Sequence, residues 1–419
     1  MLLRKFLRRY PAFLYSPFRR YWFASLASIA GANLLILGQG WLVFELTGSP
    51  FQLGVLGAAA AVPGIVVNLM GGVFADRFDK KKIILFSCLC NTVLLATLAL
   101  LDATNVVKVW HVYTIAALTS LVTGIDWPVR ASIYPLLVRR PAYLSAVALN
   151  SFIWQSSRAT IPAIGGALLF LAGTASVFAV GAAGFLTMFL VVLTIPMEET
   201  KAAKTSPIQE LLEGLSFIYR HELFKWLLGL TFLAMFFVQS YVQIMPYIVE
   251  LLDQNEAVYG LLLAAGGIGS MVGTLAVGAM KSSRVSGKTL LACALFSAVG
   301  TFLMSLMVSW NLLMLTFAFA LVSAILASIF QISGVTIMQL AVPHRLRGRV
   351  MGFHTVCYNL IPLGGLFLGF LAEVLGIVSA IGIGCLIFGV SVLSIGLTSS
   401  TIRNIGQRPI QEIESPVSP

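Results

Sequence analysis

Charge is scarce in this chain: Asp, Glu, Lys and Arg make up 10% of its 419 residues, where a soluble domain carries about 25%. That shortage excludes a water-soluble globular protein and a disordered one. Histidine is equally thin, with four residues, His111, His221, His344 and His354, scattered over separate loops and helix ends. No metal-ligating cluster, no Ser/His/Asp order and no Gly-x-x-x-x-Gly-Lys-Ser/Thr phosphate loop is written in the sequence, so hydrolytic, metal and ATP chemistry have no carrier and no cofactor is implied. The five cysteines, Cys88, Cys90, Cys293, Cys357 and Cys385, all sit in apolar stretches without metal-site or disulfide spacing, which reads as packing.

What the chain has is apolar length: 58% of its residues are hydrophobic, enough to fill about twelve membrane spans of roughly 20 residues. Apolar runs broken by polar interruptions predict spans starting near Tyr21, Phe51, Ile83, Val109, Ala146, Thr174, Leu223, Ala257, Thr289, Leu312, Val350 and Ile377. The first run is too long for the apolar core of a signal peptide and lacks a cleavage site, so it is expected to be retained. Of 27 Lys and Arg, 24 fall on loops and ends that this count puts on one side, and Lys108 stands alone on the other. By the positive-inside rule that side is cytoplasmic and carries both termini. The net charge of +11 is thereby a topology signal rather than a nucleic-acid patch, and the bilayer is the expected large partner. Glu45, Asp102, Glu250, Asp253, Glu256 and Glu373 mark the opposite side.

The expected organisation is a basic N-terminus over 1–20, six spans over 21–196, a polar linker over 197–222, six further spans over 223–398 and a disordered tail over 399–419. Within the linker, Pro207 opens a helical pattern with Ile208, Leu211, Leu212, Leu215 and Ile218 on one face, as in a helix lying on a membrane. Ile161-Pro162-Ala163-Ile164-Gly165-Gly166 in span 5 recurs as Ile361-Pro362-Leu363-Gly364-Gly365 in span 11. A repeat of six spans keeps equivalent spans in the same direction and puts a substrate path between the halves.

The loop between spans 2 and 3 reads Gly71-Gly72-Val73-Phe74-Ala75-Asp76-Arg77-Phe78-Asp79-Lys80-Lys81-Lys82. It resembles the Gly-x-x-x-Asp-Arg-x-Gly-Arg-Lys signature of the major facilitator superfamily, with Asp79 where that family has glycine. Gly72 permits close helix approach, Asp76 can cap a helix start, and Asp79 tolerates a left-handed turn. Three further stretches, Trp41 to Ser49, Asp126-Trp127-Pro128-Val129-Arg130 ahead of Pro135-Leu136-Leu137-Val138, and Leu346-Arg347-Gly348-Arg349-Val350-Met351-Gly352, look like the subgroup that includes enterobactin exporters and macrolide efflux proteins. The resemblance covers nearly the whole chain. It implies an all-α integral membrane fold of two six-helix bundles that alternate access, a monomer, and an exporter driven by protons. It also implies a conformational-switch element at Gly72, Asp76, Arg77, Lys80, Lys81, Arg347, Gly348 and Arg349. Span 5 is similar to the antiporter signature Gly-Pro-x-x-Gly-Gly without its first glycine, so Pro162, Gly165 and Gly166 are a candidate hinge or a packing site.

A charge at the bilayer centre costs about 2.5–3.5 kcal/mol on the insertion scale, so charges inside spans are the leading site candidates. Arg158 lies mid-span, and Asn150, Trp154 and Arg158 share a helical face at successive spacings of four. An anion-binding or coupling role is assigned to Arg158. Asp126 and Arg130 in span 4 are also four apart, the spacing of an intrahelical pair; Arg130 has the alternative of snorkelling to the cytoplasmic mouth. Asp126 carries a proton only if such a pair breaks during the cycle. Gln39, Gln239 and Asn359 are further candidates, and His354 reads as an interfacial residue. The reading is a secondary active transporter that exports a lipophilic or weakly anionic small molecule, drug- or siderophore-like, coupled to a proton gradient. The alternatives are metabolite uptake or exchange, or lipid movement, by the same fold, and, in another class, a membrane enzyme or receptor.

Overall fold

The computed structural model describes residues 9–77, 79–131, 133–196, 207–280, 286–343 and 345–406; side chains at 68–77, 128, 131, 135 and 207–212 lie outside that description. The major helices are α1 (Ser16–Thr47), α2 (Pro50–Arg77), α3 (Lys80–Ala103), α4 (Val109–Ala131) and α5 (Tyr143–Thr194), followed by α6 (Pro207–Arg220) and α7 (Glu222–Leu233). Then come α8 (Met245–Glu250), α9 (Glu256–Ala279), α10 (Gly287–Ser309), α11 (Leu313–Ala341), α12 (Arg347–Tyr358), α13 (Ile361–Leu375), α14 (Ile377–Thr398) and α15 (Ser400–Arg403).

Among the described residues, ten helical stretches are long and apolar enough to cross a membrane. One of them, α5, holds spans 5 and 6, because Gly173 takes φ 72°, ψ 177° and breaks the helix where sequence places the start of span 6. Only glycine enters that region readily. With α4 as span 4, the fold is an all-α bundle of twelve spans. Gly376, at φ 80° and ψ 163°, makes the equivalent break between α13 and α14, so the two halves turn their last span pair with the same device.

Packing groups the chain into two units. The first takes 1–47, 59–205 and 256–264, and the second takes 48–58, 206–255 and 265–419. Within the first, Gly260 of α9 lies so close to α5 that a Cβ there would stand 2.3 Å from the Pro162 carbonyl and 2.7 Å from Gly166 Cα. Within the second, a Cβ on Gly57 of α2 would stand 2.9 Å from the Pro362 carbonyl. The two recurring proline motifs thus each offer a carbonyl to a glycine on another span. Side chains there force the backbones apart, at about 1–3 kcal/mol each. Gly260→Leu and Gly57→Leu are therefore expected to unfold at lower temperature in detergent than Gly229→Leu, where a Cβ meets nothing within 4 Å; equal midpoints would remove this contact as a packing determinant.

Span 7 is irregular: α7 passes into a π segment, Ala234–Val238, and a 3-10 segment, Gln239–Ile244, before Pro246 starts α8. The π segment's carbonyls find room because Gly364 and Gly384 carry no side chain; a Cβ would stand 2.0 Å from Phe236 O and 2.6 Å from Phe237 O. Mid-helix π and 3-10 turns mark strained or functional stretches.

Two expectations change at the loops. Asp79 is not left-handed: at φ −58° it caps α3, its Oδ1 accepting the Lys81 N–H at 2.8 Å, the work an N-cap carboxylate does for unsatisfied first-turn amides. The tail expected to be disordered from residue 399 instead begins as α15, with Ser399 Oγ accepting the Ile402 N–H at 3.3 Å; residues 407–419 lie outside the description. The linker's helix forms as expected from Pro207, and its Glu213 pairs with Arg345 at 2.6 Å and with Arg349. These groups are partly exposed, so the clasp contributes about 0.2–1 kcal/mol. Glu213→Ala is expected to raise amide exchange over 207–220 while barely moving the melting temperature; unchanged exchange would show that the clasp does not hold α6.

Candidate functional site

Asp126 and Arg130 stack one helical turn apart on α4, and their side chains meet at 2.5 Å, Nε to Oδ2, with only 6% and 13% of their surfaces exposed. The sequence spacing thus becomes a buried pair. Arg130 does not snorkel to a mouth. Its Nη1 donates to Ser28 Oγ on α1 at 2.8 Å, and its Nη2 reaches Cys88 Sγ on α3 at 3.4 Å. Those contacts spread one guanidinium over three helices, so a single cation ties α1, α3 and α4 together.

Beside this network lies a cavity of about 70 Å³, lined by Tyr21, Ser25 and Ile29 of α1, Trp127 and Arg130 of α4, Tyr134, and Asn150 and Trp154 of α5. The Tyr134 hydroxyl donates to Asn150 Oδ1. The Trp127 and Trp154 rings meet edge to face at 4.5 Å. The space holds about two waters, well short of the 300 Å³ or more that surrounds a drug-sized ligand. It suits a polar end group, with aromatic walls for an adjacent ring.

Arg158 follows Trp154 on the same α5 stripe, about 6 Å farther along the axis. It is exposed, and it has no hydrogen bond or ion pair among the described residues. The stripe Asn150, Trp154, Arg158 therefore runs from the cavity wall to an uncommitted cation.

The remaining candidates lie apart from this cavity. Gln39 is buried in α1 with its Nε2 unpartnered among the described residues. Gln239 opens the 3-10 segment of span 7, and Asn359 sits at the break between α12 and α13 with its Nδ2 likewise unpartnered. Both belong to the second unit. His354 is buried at 5% exposure; it packs on Tyr358, whose hydroxyl donates to Gln331 Oε1 at 3.0 Å. Pro162 lies inside unbroken helix, and Gly165 packs on Leu34 and Leu37 of α1.

Of the switch residues, Gly72, Asp76 and Arg77 belong to α2, but their side chains fall outside the description. Lys81 donates Nζ to the carbonyls of Leu193 at 3.2 Å and Ile195 at 2.8 Å, closing the C-terminal end of span 6; Lys80 opens α3. Arg347 and Gly348 are exposed at the start of α12, next to Arg349 in its pair with Glu213.

Tyr21, Ser25, Ser28, Ile29, Cys88, Trp127 and Tyr134 were not singled out by sequence as site residues. Only Trp127, between Asp126 and Arg130, had a local signal. The others reach the site from different helices.

Twelve apolar spans, a buried charge network and an aromatic cavity within the bundle are the architecture of a membrane transporter of the major facilitator type. The profile of the family described as transmembrane secretion effector matches residues 10–416, and the chain belongs to that family. It is 27% identical to the enterobactin exporter EntS of Shigella dysenteriae serotype 1 and to that of Escherichia coli strain K12, over 97% of this chain and 96% of each relative. Among solved structures it is similar to nucleoside transporter NupG, with 13% identity and a TM-score of 0.72 over 91% of this chain and 98% of that one. A bacterial homologue of the human lysosomal transporter Spinster, in an inward-facing and unoccupied conformation, matches at 14% identity and a TM-score of 0.68 over 96% of this chain and 98% of that one. These structural likenesses define the fold. The chain is a multi-pass membrane transporter of the enterobactin-exporter subgroup and not an enzyme.

Proposed function

We propose that this transporter exports a lipophilic or weakly anionic small molecule, siderophore- or drug-like, by alternating access coupled to protons. The observation that carries the reading is the α5 stripe: Asn150 and Trp154 line the cavity, and Arg158 continues their face without a partner among the described residues. An exposed cation in an apolar span is held at a cost unless an anion or water meets it. Arg158 takes the anionic group, while Trp127, Trp154 and Tyr21 give an adjacent ring a surface. Asp126 is the proton-carrying group, released when substrate or conformational change draws Arg130 away.

In this reading residues 21–196 and 223–398 are the two bundles of a monomer, 197–222 links them, and the face with the basic loops is cytoplasmic with both termini. The loops at Gly72 to Lys81 and Arg347 to Arg349 act as the switch, and the segment from Pro162 to Gly166 flexes. Gln39, Gln239 and Asn359 supply further polar contacts along the path. Relatedness to proteins named enterobactin exporters supports the export direction and the siderophore class. Proteoliposomes loaded with catecholate siderophores, macrolides and neutral analogues test it: flux that follows an imposed pH gradient and favours anionic over neutral members is expected. Equal flux with and without the gradient would remove the coupling.

A further inference from the structure

The second unit has a large apolar groove of about 650 Å³ that the transport reading leaves unused. It lies between α10 and α14, lined on one side by Leu295, Ala298, Val299 and Phe302, and on the other by residues from Val378 to Leu393. In α14, Gly382, Gly389 and Gly396 recur every seven residues, and the first two line the groove. An ideal Cβ on each would lie 3.1 Å from Phe302, 3.6 Å from Leu295 and 3.3 Å from Leu291. The α10 side chains thus lie against the α14 backbone at these glycines, and Leu295 and Phe302 border the groove there. The walls are open: Val299, Leu386, Val390 and Leu393 are 44%, 66%, 54% and 52% exposed.

Fifteen residues of α14 separate Val378 from Leu393, an axial length of about 22 Å. One leaflet's hydrocarbon is about 15 Å deep, so the groove is long enough for an acyl chain.

The end near Leu393 and Leu295 is also the end with charge. Lys288 is seven residues before Leu295, on the same face of α10, and is exposed. The packing of α15 brings Arg403 to the same corner: Gly287 donates its N–H to Ile405 O at 3.1 Å, and a Cβ on Gly287 would stand 3.3 Å from Arg403 Cα. Arg403 is exposed, with Nη1 on the Leu397 carbonyl at 3.1 Å. The acid that touches this corner, Glu222, is occupied by Ser399 Oγ at 3.0 Å, Thr401 Oγ1 at 2.7 Å and Trp226 Nε1 at 3.1 Å.

We propose that this groove with its two-cation mouth is a binding site for an anionic phospholipid. One acyl chain lies along the groove between α10 and α14, and the headgroup phosphate sits between Lys288 and Arg403. Charge complementarity selects this occupant: a neutral detergent or a zwitterionic lipid fills the apolar walls equally well but brings Lys288 and Arg403 no net anionic partner. A second copy of the chain would set like charges against each other at this corner.

The full-length protein, purified in neutral detergent and analysed by native mass spectrometry after addition of phosphatidylglycerol or phosphatidylcholine, tests the site. Retention of phosphatidylglycerol over phosphatidylcholine is expected. The double variant Lys288→Gln/Arg403→Gln should lower that retention by about 25-fold, at about fivefold per interfacial cation. A second variant, Val390→Phe, narrows the groove at a wall residue that is 54% exposed and keeps both cations; it should lose the same lipid while its melting temperature in lipid-free detergent stays near that of the parent. Equal retention of the two lipids, retention unchanged in the charge variant, or a lipid-free dimer through this face would each overturn the proposal.

Discussion

Arg158→Ala is expected to lower substrate flux at limiting substrate by roughly 10- to 150-fold while leaving the folded protein intact. The expectation follows from what Arg158 lacks. It is exposed and makes no hydrogen bond or ion pair among the described residues, so its removal orphans no buried group, and substitutions of that kind usually change stability by less than about 0.5 kcal/mol. A charge-assisted contact to an anion in a water-poor path is worth about 1.5–3 kcal/mol, roughly 10- to 150-fold in affinity. Arg158→Lys keeps the charge without the planar fork and should retain part of the flux for monoanions. Melting temperature and proteoliposome flux, measured on the same preparations, separate this outcome from misfolding. Full flux in Arg158→Ala would take Arg158 out of the site.

The opposite pattern is expected at Arg130. Its guanidinium holds Asp126, Ser28 and Cys88 together, and Arg130→Ala leaves the Asp126 carboxylate buried without its cation. Breaking a buried pair from one side costs about 3–5 kcal/mol, a drop in melting temperature of roughly 10 °C at about 2–4 °C per kcal/mol. Asp126→Asn/Arg130→Gln removes both charges and should recover much of that stability, since the uncompensated charge rather than the lost attraction dominates the single-variant penalty. Function divides differently. If Asp126 carries the proton, the double variant exchanges substrate down its gradient but no longer accumulates it against one. A double variant that still accumulates substrate in response to pH would place proton coupling on another group.

Much of this was written in the chain. Apolar length located the spans, and the start of span 6 expected near Thr174 falls beside the break at Gly173. The Asp126 and Arg130 spacing announced an intrahelical pair, and the spacing of Asn150, Trp154 and Arg158 announced a shared face, because both depend only on helical geometry. What could not be read was anything that needs a second helix. Ser28 and Cys88 carry no mark of an arginine partner, and Tyr21 marks only the start of the first span until α1 packs beside α4. His354 follows a basic loop and so reads as interfacial; its burial comes only from tertiary packing. Asp79 was read through a family's glycine as a turn residue, whereas the start of α3 at Lys80 makes it a cap. The proline motifs were visible as a repeat. Their receiving glycines, Gly260 and Gly57, were not, since close approach leaves no trace in a single chain.

The most direct test of the account is gradient-driven flux of an anionic catecholate in proteoliposomes, compared between the parent protein and Arg158→Ala at matched protein density and melting temperature. The account requires accumulation in the parent that collapses when the pH gradient is dissipated, and flux at limiting substrate roughly 10- to 150-fold lower in Arg158→Ala. Accumulation of equal size in both proteins would contradict the assignment of the α5 stripe as the substrate path.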